Sequence, residues 1–403
     1  MNGTITTRVL AAIAMATALI PALQLLKVND PLPIVGFEKL DAIPKPTIAS
    51  LTRRAYQTAI EKNYSKQFFL RGTLYRIRCQ TMEMANLGKA HEGQNQNIGQ
   101  YRDGTLFQYN YFKPYYNREC KVERENVGEA LDSIGKLHDI LVSNGIDMVF
   151  VMATDKVQFT HKPISSPPSF FFEKSHDEFQ TTYGQLLSDY GIPFFDTYSF
   201  LTNEAPKHAE PMFPYAGTHW NALASSLVVD ELLSRLNTSA AKPYSINRFA
   251  RLEETFEQKG RFADNDIGRL LNLFHNPYLK KNKCYIPIFE NEDFTPNEGS
   301  VILFGDSFSQ MLRKSMAMAK DFAPGKILLC DKRVPSKNEL NRIVPDLRLV
   351  IFEYMTPNML CLDKDQRVGG KIPPFCELLK KHLEAWRQAD SDGERPRKTG
   401  LQE

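Results

Sequence analysis

Two short stretches of the chain contain residue types that serve in nucleophilic catalysis. The first, VILFGDSFSQ at positions 301–310, has the pattern of a buried strand that turns into a helix through Gly305, Asp306 and Ser307. Free backbone N–H groups and the helix dipole favour negative charge there, so they can stabilise an oxyanion beside a serine. The pattern predicts Ser307 as a nucleophile, with Gly305 and Asp306 as supporting or oxyanion candidates. The alternative is that Asp306 or Ser307 only caps the helix.

The second stretch, FPYAGTHWNALAS at positions 213–225, places His219 in a turn before an amphipathic helix. A serine hydroxyl needs a base within hydrogen-bond reach, and histidine is the usual base near neutral pH. His219 is therefore a candidate general base. The alternative is a structural pair in which Trp220 packs the start of the helix.

Further polar residues follow predicted strands. Asp155 and Lys156 come shortly after the strand IDMVFVMA, and Glu353 lies near the end of the strand LRLVIFEY. Ligands of open α/β sheets bind beyond the carboxyl ends of the strands. These three residues are therefore supporting or oxyanion candidates for the same cleft, although Glu353 also fits a solvated strand end.

The segments that must position these residues alternate between strands and helices. Strands are predicted at 146–153, 192–196, 300–305, 326–330 and 347–354. Helices are predicted at about 127–145, 175–190, 221–236 and 373–386, and another begins within 306–319. A hairpin is expected at Asp103-Gly104. The alternation predicts an α/β fold with a mainly parallel sheet.

The N-terminal part of the chain differs from this pattern. Residues 9–26 are uncharged and lie between Arg8 and Lys27, which is just long enough for a membrane span. We predict an uncleaved anchor in residues 1–27, with a cleaved signal peptide as the alternative. Residues 28–90 are predicted as a Pro-rich stalk and extension, 91–386 as one α/β domain and 387–403 as a disordered tail.

Composition excludes some classes of function. Hydrophobic residues at 42% and charged residues at 24% are typical of a globular protein, and a net charge of +3 gives no sign of nucleic-acid binding. The cysteines have no CxxC spacing, so no metal or cofactor is expected. Cys361 and Cys376 are candidates for a local bridge, and Cys330 for a buried thiol.

In chain order, these motifs resemble the AlgX/AlgJ group of SGNH-hydrolase-like polysaccharide O-acetyltransferases. The resemblance rests on the Asp155-Lys156 strand end, on THWN before a helix, on GDSF after a strand, and on PDLRLVIFE. The segments GQYRDGTLF and NDIGRLLNL, the latter at 265–273, are also similar to that group. The match extends from about residue 97 to residue 356. It implies a three-layer SGNH-hydrolase-like sandwich in permuted order, with the histidine before the serine.

The resemblance also implies a function. Ser307 would accept an acetyl group and His219 would act as base, so that the acetyl passes to hydroxyls of an exopolysaccharide such as alginate. A multi-pass membrane O-acyltransferase would deliver the acetyl group, because acetyl-CoA is cytoplasmic, and the protein would be periplasmic, anchored to the inner membrane. Trp220, Tyr215 and Tyr354 are candidates for stacking on sugars. A carbohydrate esterase would use the same residues with water as acceptor.

One position departs from the pattern of this group. Members typically carry Asp two residues before the histidine, where this chain has Gly217. Spoiling the equivalent aspartate of a serine protease costs about 10⁴-fold in rate. Three interpretations follow: another carboxylate serves, with Glu210, Asp155 and Glu353 as candidates; a backbone carbonyl orients His219 in a dyad; or the protein binds polysaccharide as a non-catalytic scaffold.

Overall fold

The computed structural model describes residues 47, 49, 52, 56–59, 71–85, 98–108, 127–160, 176–238, 242–255, 262, 264–271, 273–281, 283–359 and 369–391. The predicted anchor at 1–27, residues 392–403 of the tail predicted at 387–403, and two cysteines, Cys120 and Cys361, lie outside these residues. Among the described helices, none has the length and apolar character needed to cross a membrane.

The strands and helices alternate along most of the described chain. The strands are β1 (Ile98–Gln100), β2 (Leu106–Gln108), β3 (Asp147–Ala153), β4 (Phe194–Asp196), β5 (Phe249–Thr255), β6 (Cys284–Phe289), β7 (Ser300–Gly305), β8 (Ile327–Asp331) and β9 (Leu347–Met355). The helices are α1 (Arg71–Ala85), α2 (Gly128–Val142), α3 (Lys156–Thr160), α4 (His176–Asp189), α5 (Thr197–Glu204), α6 (Ala222–Leu236), α7 (Asp266–Leu270), α8 (Pro277–Lys281), α9 (Ser309–Ala319), α10 (Lys337–Ile343), α11 (Thr356–Met359) and α12 (Ile372–Ser391).

The centre of the fold is a five-stranded sheet in the order β4-β3-β9-β7-β8. Every neighbouring pair in it is parallel, so the predicted mainly parallel α/β sheet is confirmed. From β3 the chain continues outward to β4, and from β7 it continues outward to β8 at the opposite edge. Strand order therefore reverses around β9, and a crevice for ligands is expected at the carboxyl ends of β3, β9 and β7.

Helices cover both faces of this sheet. Alternate residues of a strand point to opposite faces, and in β3 Met148 and Phe150 pack with α2 and α12. Val149 and Val151 of the same strand pack with α6 and α9 on the other face. Burial of a large apolar side chain stabilises the fold by about 1.5–3 kcal/mol. Burial on both faces explains why these strands are almost continuously apolar.

The ends of two helices show how local sequence sets the position of the elements. Gly145 follows α2 with a φ of +67°, and the N–H of Ile146 bonds to the carbonyl of Leu141 at 3.0 Å. A left-handed residue at the end of a helix is favoured by glycine, and here it directs the chain into β3. Asn221 precedes α6, and its side chain accepts a hydrogen bond from the N–H of Ala224 at 3.0 Å. This N-cap fixes where the turn that carries His219 ends.

Two antiparallel hairpins lie outside the central sheet. β1 and β2 form the hairpin predicted at Asp103-Gly104. β5 and β6 form a second hairpin, with Thr255 opposite Cys284, that was not expected. The residues of β5 are partly or fully exposed, and its sequence FARLEET does not alternate between apolar and polar residues. Strands of this kind give little periodic signal.

The chain divides into two compact units. One consists of Glu92–Ile267 and Tyr278–Glu403 and contains the central sheet. The other consists of Met1–His91 and Gly268–Pro277. In this second unit, the side-chain oxygen of Gln80 on α1 accepts a hydrogen bond from the backbone N–H of His275 at 3.0 Å.

Two expectations about the C-terminal region need correction. Cys376 is a free thiol buried on α12, so the predicted bridge to Cys361 is not formed. α12 continues to Ser391 instead of ending near 386. Cys330 is a free, fully buried thiol, as predicted, and burial raises the pKa of this thiol to about 12.

Candidate active site

The turn after β7 presents Ser307. Asp306 organises this turn: its Oδ1 accepts a hydrogen bond from the N–H of Phe308 at 3.0 Å, and its Oδ2 accepts from the N–H of Met355 at 3.0 Å. The side-chain amide of Asn358 donates to the same Oδ2 at 2.5 Å. Asp306 therefore ties the end of β7 to the end of β9, and the helix begins only at Ser309. The capping interpretation is confirmed in part: the side chain of Asp306 binds the N–H two residues on, in the turn before the helix, while Phe308 holds the N-cap position and makes no side-chain cap bond.

Gly305 is required because β9 approaches it closely. A Cβ at this position would lie 2.1 Å from the carbonyl oxygen of Glu353 and 2.9 Å from its Oε2. The N–H of Asp306 bonds to that same carbonyl oxygen at 3.3 Å. No larger residue fits without moving the strand, so the glycine of the GDS sequence has a packing reason.

The turn before α6 presents His219. Trp220 is fully buried, and its indole N–H donates to the carbonyl of Thr154 at 3.1 Å. The amide of Asn221 donates to the carbonyl of Pro211 at 2.5 Å. The rings of His219 and Phe308 lie with their centroids 4.8 Å apart, which brings the histidine against the turn that carries the serine.

His219 links a serine to a carboxylate. Its Nε2 lies 2.8 Å from Oγ of Ser307, and its Nδ1 lies 2.7 Å from Oδ2 of Asp266. The other oxygen of Asp266 accepts hydrogen bonds from the N–H of Thr218 at 2.7 Å and from the N–H of Ile267 at 2.8 Å. Asp266 thereby holds both the imidazole and the backbone beside it.

These contacts determine which ring nitrogen of His219 carries the proton. Asp266 is surrounded by donors, and an ionised carboxylate can only accept hydrogen bonds. Nδ1 of His219 must therefore donate to Asp266, which leaves the lone pair of Nε2 directed at the hydroxyl of Ser307. This is the arrangement in which a histidine can take the proton of a serine as that serine attacks.

A second carboxyl group lies close to this arrangement. Asp264 is almost completely buried, and its pKa is raised to about 7, first by burial and then by the negative charge of Asp266. The positive charge of Lys314 lowers this pKa and so offsets part of the increase. The ammonium of Lys314 itself has a lowered pKa, mainly through desolvation. Asp264 thus keeps its proton to a higher pH than an ordinary aspartate does, two residues from Asp266.

The carboxylate beside His219 is not one of those proposed from sequence. An imidazole has two nitrogens, and Ser307 and Asp266 occupy both. Asp155 instead caps α3, because its Oδ1 accepts from the N–H groups of Val157 and Gln158. Glu353 is fully buried beneath the nucleophile turn, and Glu210 lies near Lys283. The proposed roles of these three carboxylates in orienting His219 are therefore wrong.

Two of the three aromatic candidates for sugar stacking are also wrong. Trp220 and Tyr354 are both fully buried and pack against other aromatic rings, Trp220 against Phe308 and Tyr354 against Phe150. Tyr215 is half-buried, and its hydroxyl donates to the carbonyl of Asp103 at 3.2 Å. Lys156 is also buried, with its ammonium directed at the turn before His219.

Asp266 is the site residue that residue-level reasoning missed. It comes 47 positions after the histidine, at the first position of a five-residue helix, so no spacing rule connects the two. Its segment, NDIGRLLNL, was noted only as similar to a segment of the AlgX/AlgJ group. That similarity was the one signal in the sequence that pointed to it.

The fold and the site define a class of protein. Its members have a parallel α/β sheet with a serine beyond the end of one strand, and a histidine that bonds both to this serine and to an aspartate. No protein-family model and no curated protein matches the chain. Among solved structures, it is similar to the O-acetyltransferase domain of Pseudomonas putida AlgJ, with 14% identity, a TM-score of 0.48, and coverage of 71% of this chain and 99% of that one.

Two other solved structures are similar to the chain. One is Bacillus cereus PatB1 with a sulfonyl adduct, at 12% identity and a TM-score of 0.42, covering 65% of this chain and 94% of that one. The other is Pseudomonas aeruginosa AlgX, at 14% identity and a TM-score of 0.43, covering 69% of this chain and 67% of that one.

Proposed function

We propose that the protein is an O-acetyltransferase that carries acetyl on Ser307 and passes it to a carbohydrate hydroxyl outside the cytoplasm. The observation that supports this is His219, whose two ring nitrogens lie within hydrogen-bond distance of Ser307 and Asp266. Any function without proton transfer leaves this arrangement unexplained. The motif resemblance supports a polysaccharide as the acceptor.

The reaction follows from the geometry in two halves. In the first, Oγ of Ser307 attacks the carbonyl carbon of an acetyl ester while Nε2 of His219 takes the hydroxyl proton. The oxyanion that forms collapses, the C–O bond of the donor breaks, and the protonated histidine returns the proton to the leaving alkoxide. Asp266 stabilises the imidazolium that exists between these two proton transfers.

In the second half, a sugar hydroxyl takes the place of the leaving group. His219 removes its proton, the resulting oxygen attacks the acetyl-serine, and Ser307 recovers its proton as the ester bond breaks. Among the described residues, the backbone N–H of Ser307 bonds to no acceptor, so it is a candidate donor to the oxyanion in both halves. Every proton and acyl group is accounted for without a cofactor.

The location and partners of the reaction form the finer part of this proposal. An anchor in residues 1–27 would hold the protein at the inner membrane, with the α/β domain in the periplasm. A multi-pass membrane O-acyltransferase would supply acetyl, and an exopolysaccharide such as alginate would accept it. Fractionation of cells that express the full chain tests the location.

The first experiment measures release of a chromophore from an acetyl ester and traps the acetyl-enzyme. We expect a mass increase of one acetyl group on the peptide that contains Ser307, and no turnover by Ser307→Ala. Ser133→Ala is the control, because its exposed hydroxyl bonds only to the carbonyl of Glu129 on the outside of α2. Turnover that survives Ser307→Ala would exclude this serine as the nucleophile.

A second measurement separates transfer from hydrolysis, since an esterase would use the same residues. Oligosaccharide acceptors are added to the acetyl-enzyme, and acetylated sugar is quantified against free acetate. Acetate alone with every acceptor would support the esterase alternative. A wild-type protein that forms no acetyl-enzyme and turns over no ester would refute both enzymatic functions.

The non-catalytic scaffold is now less supported than it was from sequence. It depended on Gly217 as a missing carboxylate and on three aromatic groups, Tyr215, Trp220 and Tyr354, as stacking surfaces for sugars; of these, Tyr215 is half-buried. Asp266 supplies the carboxylate, and the side chains of Trp220 and Tyr354 are buried. Neither observation favours a protein that only binds polysaccharide.

A further inference from the structure

Lys156 is a buried cation close to the site, and the proposed reaction gives it no part. It is the first residue of α3, directly beyond the carboxyl end of β3. Only 1% of its surface is exposed. Lysine is almost never buried to this degree unless its ammonium is fully paired.

The ammonium of Lys156 binds three backbone carbonyls of one turn. Nζ donates to the carbonyls of Pro214 at 2.5 Å, Gly217 at 2.8 Å and Tyr215 at 3.3 Å. An ammonium has three N–H donors, so this turn supplies one acceptor for each of them. The three carbonyls lie between two and five residues before His219.

The turn bound by Lys156 leads directly into the base. The next residue, Thr218, uses its backbone N–H to bind Asp266, and His219 binds the other oxygen of that carboxylate. Three carbonyl dipoles that converge on one point repel each other unless a cation or donor lies between them. The ammonium therefore holds Gly217 and, through it, the direction in which the imidazole leaves the backbone.

This contact also concerns the position at which the AlgX/AlgJ pattern places a carboxylate. Here residue 217 contributes its carbonyl oxygen to a buried cation and has no side chain, while the carboxylate comes from Asp266. The role of orienting the histidine is thus divided between a backbone anchor before it and a side chain from a distant segment.

We propose that Lys156 is a positioning residue for the general base: its ammonium fixes the turn 214–217 so that His219 reaches Ser307 and Asp266 together. This proposal rests on the proposed function for its kinetic test. It also makes a prediction that is independent of turnover, since the hydrogen bond between His219 and Asp266 has a signature of its own in proton NMR.

The kinetic test uses two variants and one control. Lys156→Met keeps most of the length of the side chain and removes every donor, and we expect kcat for acetyl-ester turnover to fall at least ten-fold with little change in KM. A misplacement of about 1 Å can cost on the order of 100-fold. The control, Lys136→Met, changes an exposed lysine that pairs with Asp132 and should retain wild-type kinetics.

Chemical rescue separates positioning from general destabilisation. Lys156→Ala leaves space for propylammonium, which reproduces the missing carbons and the charge, and we expect it to restore part of kcat. The neutral analogue 1-propanol should restore none. Both compounds are also tested on wild type and without enzyme, to subtract direct aminolysis of the ester.

The NMR test observes the proton on Nδ1 of His219. We expect a downfield resonance in wild type that disappears in His219→Ala, and that is shifted or lost in Lys156→Met while the circular dichroism stays native. An unchanged resonance, a kcat for Lys156→Met within two-fold of wild type, or equal responses to propylammonium and 1-propanol would each overturn the proposal. A wild type that shows the resonance but turns over no ester would refute the proposed function alone.

Discussion

Asp266→Asn is the substitution that tests the site most directly. The side-chain oxygen of asparagine can still accept from the N–H groups of Thr218 and Ile267, so we expect the amide to keep the orientation of the carboxylate. Its NH₂ group then faces Nδ1 of His219. Because both would be donors in the resting enzyme, Nδ1 must become the acceptor, and the ring proton moves to Nε2.

The magnitude follows from this change of tautomer. With its proton on Nε2, His219 cannot accept the proton of Ser307, although every distance is unchanged. The same substitution in a serine protease lowers kcat by about 10⁴-fold, which corresponds to about 5.4 kcal/mol of transition-state stabilisation. We expect a loss of about 10³–10⁴-fold in kcat/KM for acetyl-ester turnover.

The assay compares Asp266→Asn with a neighbouring carboxyl group. Asp264→Asn is the matched control: its carboxyl is buried, has a pKa raised to about 7, and is not bound to the imidazole. We expect this control to change kcat/KM by less than about five-fold, since both nitrogens of the imidazole are bound to other groups, Ser307 and Asp266. An Asp266→Asn variant that retains more than a tenth of wild-type activity would refute the reasoning.

Three further predictions concern residues around the turn. Gly217→Asp should not raise kcat/KM, because both nitrogens of His219 already have partners; an increase above wild type would show that Asp266 orients the ring poorly. Gly305→Ala should lower the free energy of unfolding by about 1–3 kcal/mol or more in denaturant titrations, since its Cβ would lie 2.1 Å from the carbonyl oxygen of Glu353. A free energy of unfolding equal to that of wild type would contradict the close approach of the two strands. Burial, and then the charge of Asp306, raise the pKa of Glu353 well above its usual range. The folded state therefore keeps a proton that the unfolded state releases above about pH 4.5. As pH rises further, the free energy of unfolding falls by up to about 1.4 kcal/mol per pH unit because of this group. Glu353→Gln removes that loss, so its free energy of unfolding relative to wild type should increase from pH 5 to pH 8; a constant difference would show that Glu353 is ionised in the fold.

The sequence was sufficient for the central sheet and for the pair of Ser307 and His219. Strands buried on both faces are nearly uniform apolar runs, and turn residues at their ends mark where polar side chains gather. Parallel pairing then brings those ends to one edge, whatever their distance along the chain. The proximity of a serine after β7 and a histidine before α6 could therefore be predicted before any coordinates.

Other parts of the site could not be predicted in this way. Asp266 belongs to a helix of five residues, which has too few turns to show a hydrophobic period. Tyr354 was a candidate for stacking on sugars, but helices cover both faces of β9 and leave its side chain fully buried. Trp220 was a candidate for stacking on sugars, with packing at the start of the helix as the alternative, and its buried ring, which donates to the carbonyl of Thr154, agrees with the alternative.

The hairpin of β5 and β6 has a consequence for how such proteins diversify. Pairing of Thr255 with Cys284 holds together the two ends of the segment 256–283, and Asp266 comes from inside it. The entropic cost of closing a loop grows slowly with its length, so adding or removing residues in this segment should cost the fold little free energy. The acid of the site thus comes from a segment separate from the turn that carries the histidine, and a sequence search that requires a contiguous Asp-x-His signature would miss any chain built in this way.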